Sequence, residues 1–159
     1  MIRCIAAVAV LVVLTACQES GAPADAKQLA AVLSGDAKGN AAANPMCRLF
    51  SAAEASAYSG KKLQAGTNAA MGAGCQWASD DASVLIQAVP MDYADNPSGA
   101  PGYRKLPDLG KGAYVAADMG GWSAGAPQGK EFVGVVVTGP NASEQTALAL
   151  MKEMMKRRE

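Results

Sequence analysis

The sequence predicts an α+β domain: an antiparallel sheet of hairpins with a short N-terminal helix and a longer C-terminal helix packed on one face. Three observations carry this expectation. Residues 131–138 include Phe132, Val133, Val135, Val136 and Val137 and present no polar face, as a central strand does. The short apolar runs before them are separated by glycine, aspartate and proline, the residues of turns. Near the end of the chain, Ala147, Leu148, Met151, Met154 and Met155 fall on one stripe, with Lys152, Glu153, Lys156 and Arg157 opposite. That is the period of an amphipathic helix.

In chain order, the first segment is Met1-Ile2-Arg3, an apolar run over residues 5–14, and Thr15-Ala16-Cys17. The run is shorter than the roughly twenty residues a helix needs to cross a bilayer and reads as the hydrophobic part of a secretory signal over residues 1–16. Leu14-Thr15-Ala16-Cys17 resembles the lipobox of bacterial lipoproteins. That resemblance implies a diacylglyceryl group on Cys17, which becomes the first residue of the mature chain and ties it to a membrane. The next residue is Gln18 rather than the aspartate that retains lipoproteins in an inner membrane. The expected location is therefore the outer membrane, facing the periplasm, in a cell with two membranes, and otherwise the outer face of the cell membrane. Residues 17–44 are mostly Ala, Gly, Ser, Asn and Pro with scattered charges, the composition of a tether. Residues 45–159 amount to a single domain.

Within that domain, Ser51-Ala52-Ala53-Glu54 forms a capping box for a short helix that stops at Gly60. A strand is expected at Cys75-Gln76-Trp77, a turn at residues 79–82 and a second strand at residues 83–89. Residues 112–119 and 122–126 flank Gly120-Gly121, a pair suited to a two-residue hairpin turn. Residues 127–130 turn the chain into the central strand. Asn141, with Glu144 three residues on, is the expected cap of the last helix, and Lys156, Arg157 and Arg158 complement its C-terminal dipole.

Four cysteines are present. Cys4 leaves with the signal and the lipid consumes Cys17, so Cys47 and Cys75 remain as a candidate disulfide in an oxidising compartment. A redox pair or half of a metal site are the alternatives. The chain has neither a Cys-x-x-Cys pair nor any histidine, which favours the structural bond. The balance of 14 basic and 14 acidic residues argues against a nucleic-acid partner, which demands a basic face.

No motif makes a strong case for catalysis, and no cofactor or metal is implied. Gly121-Trp122-Ser123-Ala124-Gly125 matches Gly-x-Ser-x-Gly, so a serine hydrolase acting through Ser123 is one alternative. That motif needs a strand turning sharply into a helix and a base for the serine proton; here it lies between hairpin strands in a chain without histidine. Ser59-Gly60-Lys61-Lys62 matches Ser-x-x-Lys, but Gly60 interrupts the helical turn that would align the pair. The carboxylates Asp80, Asp81, Asp92 and Asp95 lack the loop spacing of a calcium site. The segment 91–111 is long for a connection in a compact domain and has no evident secondary structure. It holds Tyr93, Tyr103 and Arg104, residue types enriched at binding hot spots, and is the candidate partner-binding loop.

Taken together, Cys47 through Ala55, Gly74-Cys75-Gln76-Trp77 and Leu109 through Tyr114 resemble small lipoprotein families of unknown function from actinobacteria and proteobacteria. The resemblance implies a disulfide and an α+β sheet, and no catalytic residues. The expectation is a lipid-anchored envelope protein that binds a protein or small molecule through the sheet edge and the long loop, without enzymatic activity. A periplasmic inhibitor or immunity protein is the other alternative.

Overall fold

The computed structural model describes residues 40–159. The expected signal, Cys17 and the expected tether up to residue 39 lie outside the described residues. The strands are β1 (Thr67–Ala69), β2 (Gly74–Ala78), β3 (Ser83–Pro90), β4 (Arg104–Lys105), β5 (Tyr114–Asp118), β6 (Gly121–Gln128) and β7 (Glu131–Val137). They form one antiparallel sheet in the order β1-β2-β3-β7-β6-β5-β4. Two helices, α1 (Ala52–Ser59) and α2 (Glu144–Arg157), complete the α+β fold.

Strand β7 is central, between β3 and β6, as its apolar run requires. Val133, Val135 and Val137 meet Val84, Ile86, Val115 and Ala124 in one core with Leu150, Met151 and Met154 of α2. This side is called the helix face. The stripe read from the sequence is rotated slightly: Leu150 is fully buried, while Leu148 and Met155 sit at its margins. Phe50 joins α1 to the sheet through edge contacts with Tyr58 and Trp77, at 6.1 and 6.3 Å between ring centroids. Arg157 lies 4.3 Å above the Phe50 ring and pairs with Glu54 and Glu153, which ties the end of α2 to the start of α1.

Cys47 and Cys75 form a disulfide with their Cα atoms 5.0 Å apart. It joins the turn before α1 to β2, beside Trp77. The capping box is present: Ser51 Oγ accepts from the Glu54 amide, and the Glu54 carboxylate accepts from the Ser51 amide at 2.7 Å. Gly60 ends α1 in the left-handed conformation.

Two local expectations need correction. The β5–β6 turn is Met119-Gly120 instead of Gly120-Gly121, because Asp118 pairs with Gly121. Gly121 is required elsewhere: a Cβ on it would lie 2.0 Å from the Val137 carbonyl oxygen. Met119 therefore takes a φ of 47°. Similarly, α2 is capped by Ser143, whose Oγ accepts from the Thr146 amide at 3.1 Å. Asn141 is too far up the chain to cap it; its amide nitrogen donates to the Ala57 carbonyl and its backbone oxygen accepts from the Thr146 hydroxyl. Asn141 thereby links the two helices.

Residues 40–44, assigned by composition to the tether, contain a short turn at Ala41–Ala43. Asn44 is buried. Its amide nitrogen donates to Asn68 Oδ1 and the Gly74 carbonyl, at 2.8 and 2.9 Å, and its side-chain oxygen accepts from the Met46 amide.

Candidate functional site

The side of the sheet opposite the helices has two parts. Over β5, β6 and the start of β7, the segment 91–103 crosses as a strap and packs Ala94, Ala100 and Tyr103 against Tyr114, Ala116 and Phe132. The rings of Tyr103, Tyr114 and Phe132 stack in sequence, with 6.1 Å between neighbouring centroids. Gly125 makes room for them: a Cβ there would lie 2.4 Å from Phe132 and 2.9 Å from Tyr114. The longer connection 91–111 also contains elements its sequence did not reveal, namely the short turns Met91–Tyr93 and Pro107–Leu109 and the two-residue strand β4. These are too short to carry a periodic signal.

The strap separates the three residues proposed for the binding loop. Tyr103 is half-buried in the aromatic stack. Arg104 pairs with Glu144 at the start of α2. Tyr93 is exposed at 75%. Tyr103 is thus a packing residue, whereas Arg104, in a surface ion pair, and Tyr93 remain exposed.

Ser123 is the remaining catalytic candidate, and its setting is unsuited to the role. It lies within β6, 3% exposed, paired with Ala116 and Val136 across the sheet. Its hydroxyl is buried and forms no closed hydrogen bond. It is near enough to the Tyr114 phenol to counter, in part, the upward push that burial gives that phenol, to which Asp95 and Asp118 add. A nucleophile must reach a substrate and a base; this hydroxyl reaches neither. Among the described residues, no group of three cysteine, aspartate or glutamate side chains is placed to hold a metal ion.

The other part of this outer face is uncovered. A shallow depression of about 500 Å³ lies over β2, β3 and β7, with Leu85, Val136 and Gln76 among its lining and Asp80, Met119 and Thr138 at its edge. Leu85 pairs with both Gln76 and Val136, so these side chains form one row on the same side of three strands. The Ser83 amide donates to the Thr138 hydroxyl at 2.7 Å, which fixes the rim. Asp81 pairs with Lys61 at 2.9 Å, and that lysine holds its carboxyl below the usual range. Asp80 makes no such pair among the described residues. Sequence reasoning missed this surface. The only signal was the alternation of β3, where Val84, Ile86 and Ala88 are buried and Leu85, Gln87 and Val89 point the other way. Because four of those six alternating positions are large and apolar, the pattern does not say which set is covered.

Comparison with protein-family models, with curated proteins and with solved structures finds no match.

Proposed function

We propose that this protein is a lipid-anchored envelope lipoprotein that binds a macromolecule or small ligand and carries out no chemistry of its own. The anchor is read from Leu14-Thr15-Ala16-Cys17, with two or three acyl chains giving durable attachment where one would be marginal. The observation that carries the binding half is the uncovered depression over Leu85 and Val136. Half-buried Leu85 and Val136, with the exposed side chain of Met119 beside them, form an apolar floor that no element of the described residues covers. We therefore prefer the open half of the outer face to the long segment, whose Tyr103 is packed in the aromatic stack, as the partner-binding surface.

Two experiments test the halves separately. Palmitate labelling in the native host should lipidate the wild-type chain and leave Cys17→Ser unlabelled; label retained by the serine variant overturns the anchor. A photo-crosslinking residue placed at Val136 should trap a discrete partner in the envelope, and one at Lys152 on the exposed face of α2 should not. Equal yields at both positions overturn the assignment of the surface. An inhibitor or immunity protein is one form such binding takes, and the identity of the trapped partner decides it.

A further inference from the structure

The two ends of the sheet differ. The upper end holds the β2–β3 turn and the β5–β6 hairpin, while the lower end holds the β1–β2 and β6–β7 turns and the C-terminal end of α2. Four large apolar side chains are exposed among the described residues, and three of them are at the lower end: Met71 (67%), Met91 (42%) and Tyr93 (75%). Met71 lies in the β1–β2 turn, whose Ala73 carbonyl accepts from Ala88; β3 then runs two residues further before Met91. Ala70 and Met71 both have left-handed backbones, φ 47° and 52°, a conformation that costs about 1–2 kcal/mol per residue outside glycine. The N-terminal end of the described chain passes this same turn, because the side-chain amide of buried Asn44 donates to the Gly72 and Gly74 carbonyls.

We propose that the lower end of the domain rests on the bilayer, with Met71, Met91 and Tyr93 inserted at headgroup level. This rests on the anchored reading above. Residues 17–39 are long enough for either end to reach the bilayer, so the exposed Met71, Met91 and Tyr93 select the lower end, and tethering raises the local concentration of the whole domain at the surface. Contacts too weak to hold a free domain are then sufficient, and tyrosine in particular favours the membrane interface. Charge contributes little: among the described residues, Arg48, Lys111, Lys130 and Lys156 make no ion pair at this end, and neither do Asp92, Asp108 and Glu159. The docked orientation leaves the depression beside Met119, at the upper end, facing away from the lipid.

The test does not depend on cellular lipidation. In the chain lacking residues 1–16, with Cys47 and Cys75 oxidised, Cys17 is the one free thiol. It is coupled to a maleimide phospholipid in phosphatidylethanolamine–phosphatidylglycerol nanodiscs containing a spin-labelled lipid. Methionine methyl signals are then compared with those in unlabelled discs. Met71 and Met91 should lose more than half their intensity and Met119 should keep nearly all of it. The triple variant Met71→Gln, Met91→Gln, Tyr93→Gln, with an unchanged melting temperature, should lose the orientation, so that Met119 broadens more than it does in the wild type. Equal broadening at both ends of the wild type overturns the proposal. So does concentration-dependent broadening of Met71 and Met91 without discs, which assigns the surface to a second copy. Failure of palmitate labelling in cells removes the natural anchor but leaves this measurement readable.

Discussion

The two faces of the sheet are built from the same strands and closed by different means. On the helix face, Val84, Ile86, Val133, Val135 and Val137 are sealed by Leu150, Met151 and Met154, and a disulfide fixes the first helix to β2 beside Trp77. On the outer face, a single strap of irregular chain closes one half through three stacked rings, and the other half stays open. The difference teaches that stability and available surface are divided between the faces. Changes on the helix face should cost the most stability, and changes on the outer face should become milder toward its open part.

The sharpest way to break that division is to remove the disulfide. Closing a loop with a sequence separation of 28 stabilises a fold by about 3–4 kcal/mol in the chain-entropy description. Reductant should therefore lower the melting temperature by about 15 °C or more, at about 4–8 °C per kcal/mol. Cys47→Ala with Cys75→Ala should reproduce the shift and then be indifferent to reductant. Two free thiols in the oxidised domain would contradict the pairing.

Next in size are the outer-face rings. Phe132 is buried where β7 meets the strap, and Phe132→Ala should cost about 3 kcal/mol, the low end for such truncations, since the strap residues can settle toward Gly125. Tyr103→Ala removes the outermost ring of the stack and should cost about 1 kcal/mol. Urea denaturation checks both. Equal costs for the two rings would mean that the strap is as firmly set as the sheet, and the distinction between the faces would fail.

Legibility in the sequence follows the same division. Strand β7, helix α2, the capping box and the disulfide pairing were readable because each rests on a simple rule: an apolar run, a 3.6-residue period, a four-residue signature, and the two cysteines that remain of four once Cys4 and Cys17 are assigned to the expected signal and anchor. The strap was not, because its packing depends on a glycine, Gly125, far along the chain from Tyr103. Tyr103 is a residue type that serves binding and packing equally, and only the position of the Tyr114 ring decides between them. The open depression was hidden for a related reason: Leu85 and Val136 look like core residues in sequence, and nothing local says that no element covers them.

A smaller effect should come from Glu54, which links α1 to α2. The Ser51 amide first, then Arg157 and the Ser51 hydroxyl, lower its carboxyl from the ordinary 4.5 to about 2. The folded state binds this proton less readily than the unfolded chain, so the contribution is fully present above about pH 4.5 and is lost as pH falls toward 2. The side chain is 45% exposed, so solvent screens much of the interaction. Glu54→Gln should cost roughly 0.5–1 kcal/mol at neutral pH, the range of a capping interaction. The variant and wild-type stabilities should converge by about pH 2. A difference that persists undiminished at that pH would show that packing, not charge, makes the contribution.

The smallest expected change has the opposite sign and lies at the edge of the open surface. Met119 occupies the first position of a two-residue hairpin turn with φ 47°, followed by Gly120 at φ 78°. Positive φ at both positions is the type I′ geometry, for which Asn-Gly is the preferred pair. Methionine pays a steric cost there that asparagine largely avoids, and its side chain is 85% exposed, so no buried contact offsets it. Met119→Asn should therefore stabilise the domain by about 0.5–1 kcal/mol and raise the melting temperature by a few degrees, with the sheet otherwise unchanged. If Met119 stands at the rim of the depression because a partner uses it, the same variant should weaken crosslinking from Val136 while melting higher. A gain in stability with full crosslinking would remove Met119 from the binding surface and leave Leu85 and Val136 as its apolar part. A loss of stability would mean that the exposed side chain supports the hairpin in a way its surroundings do not indicate.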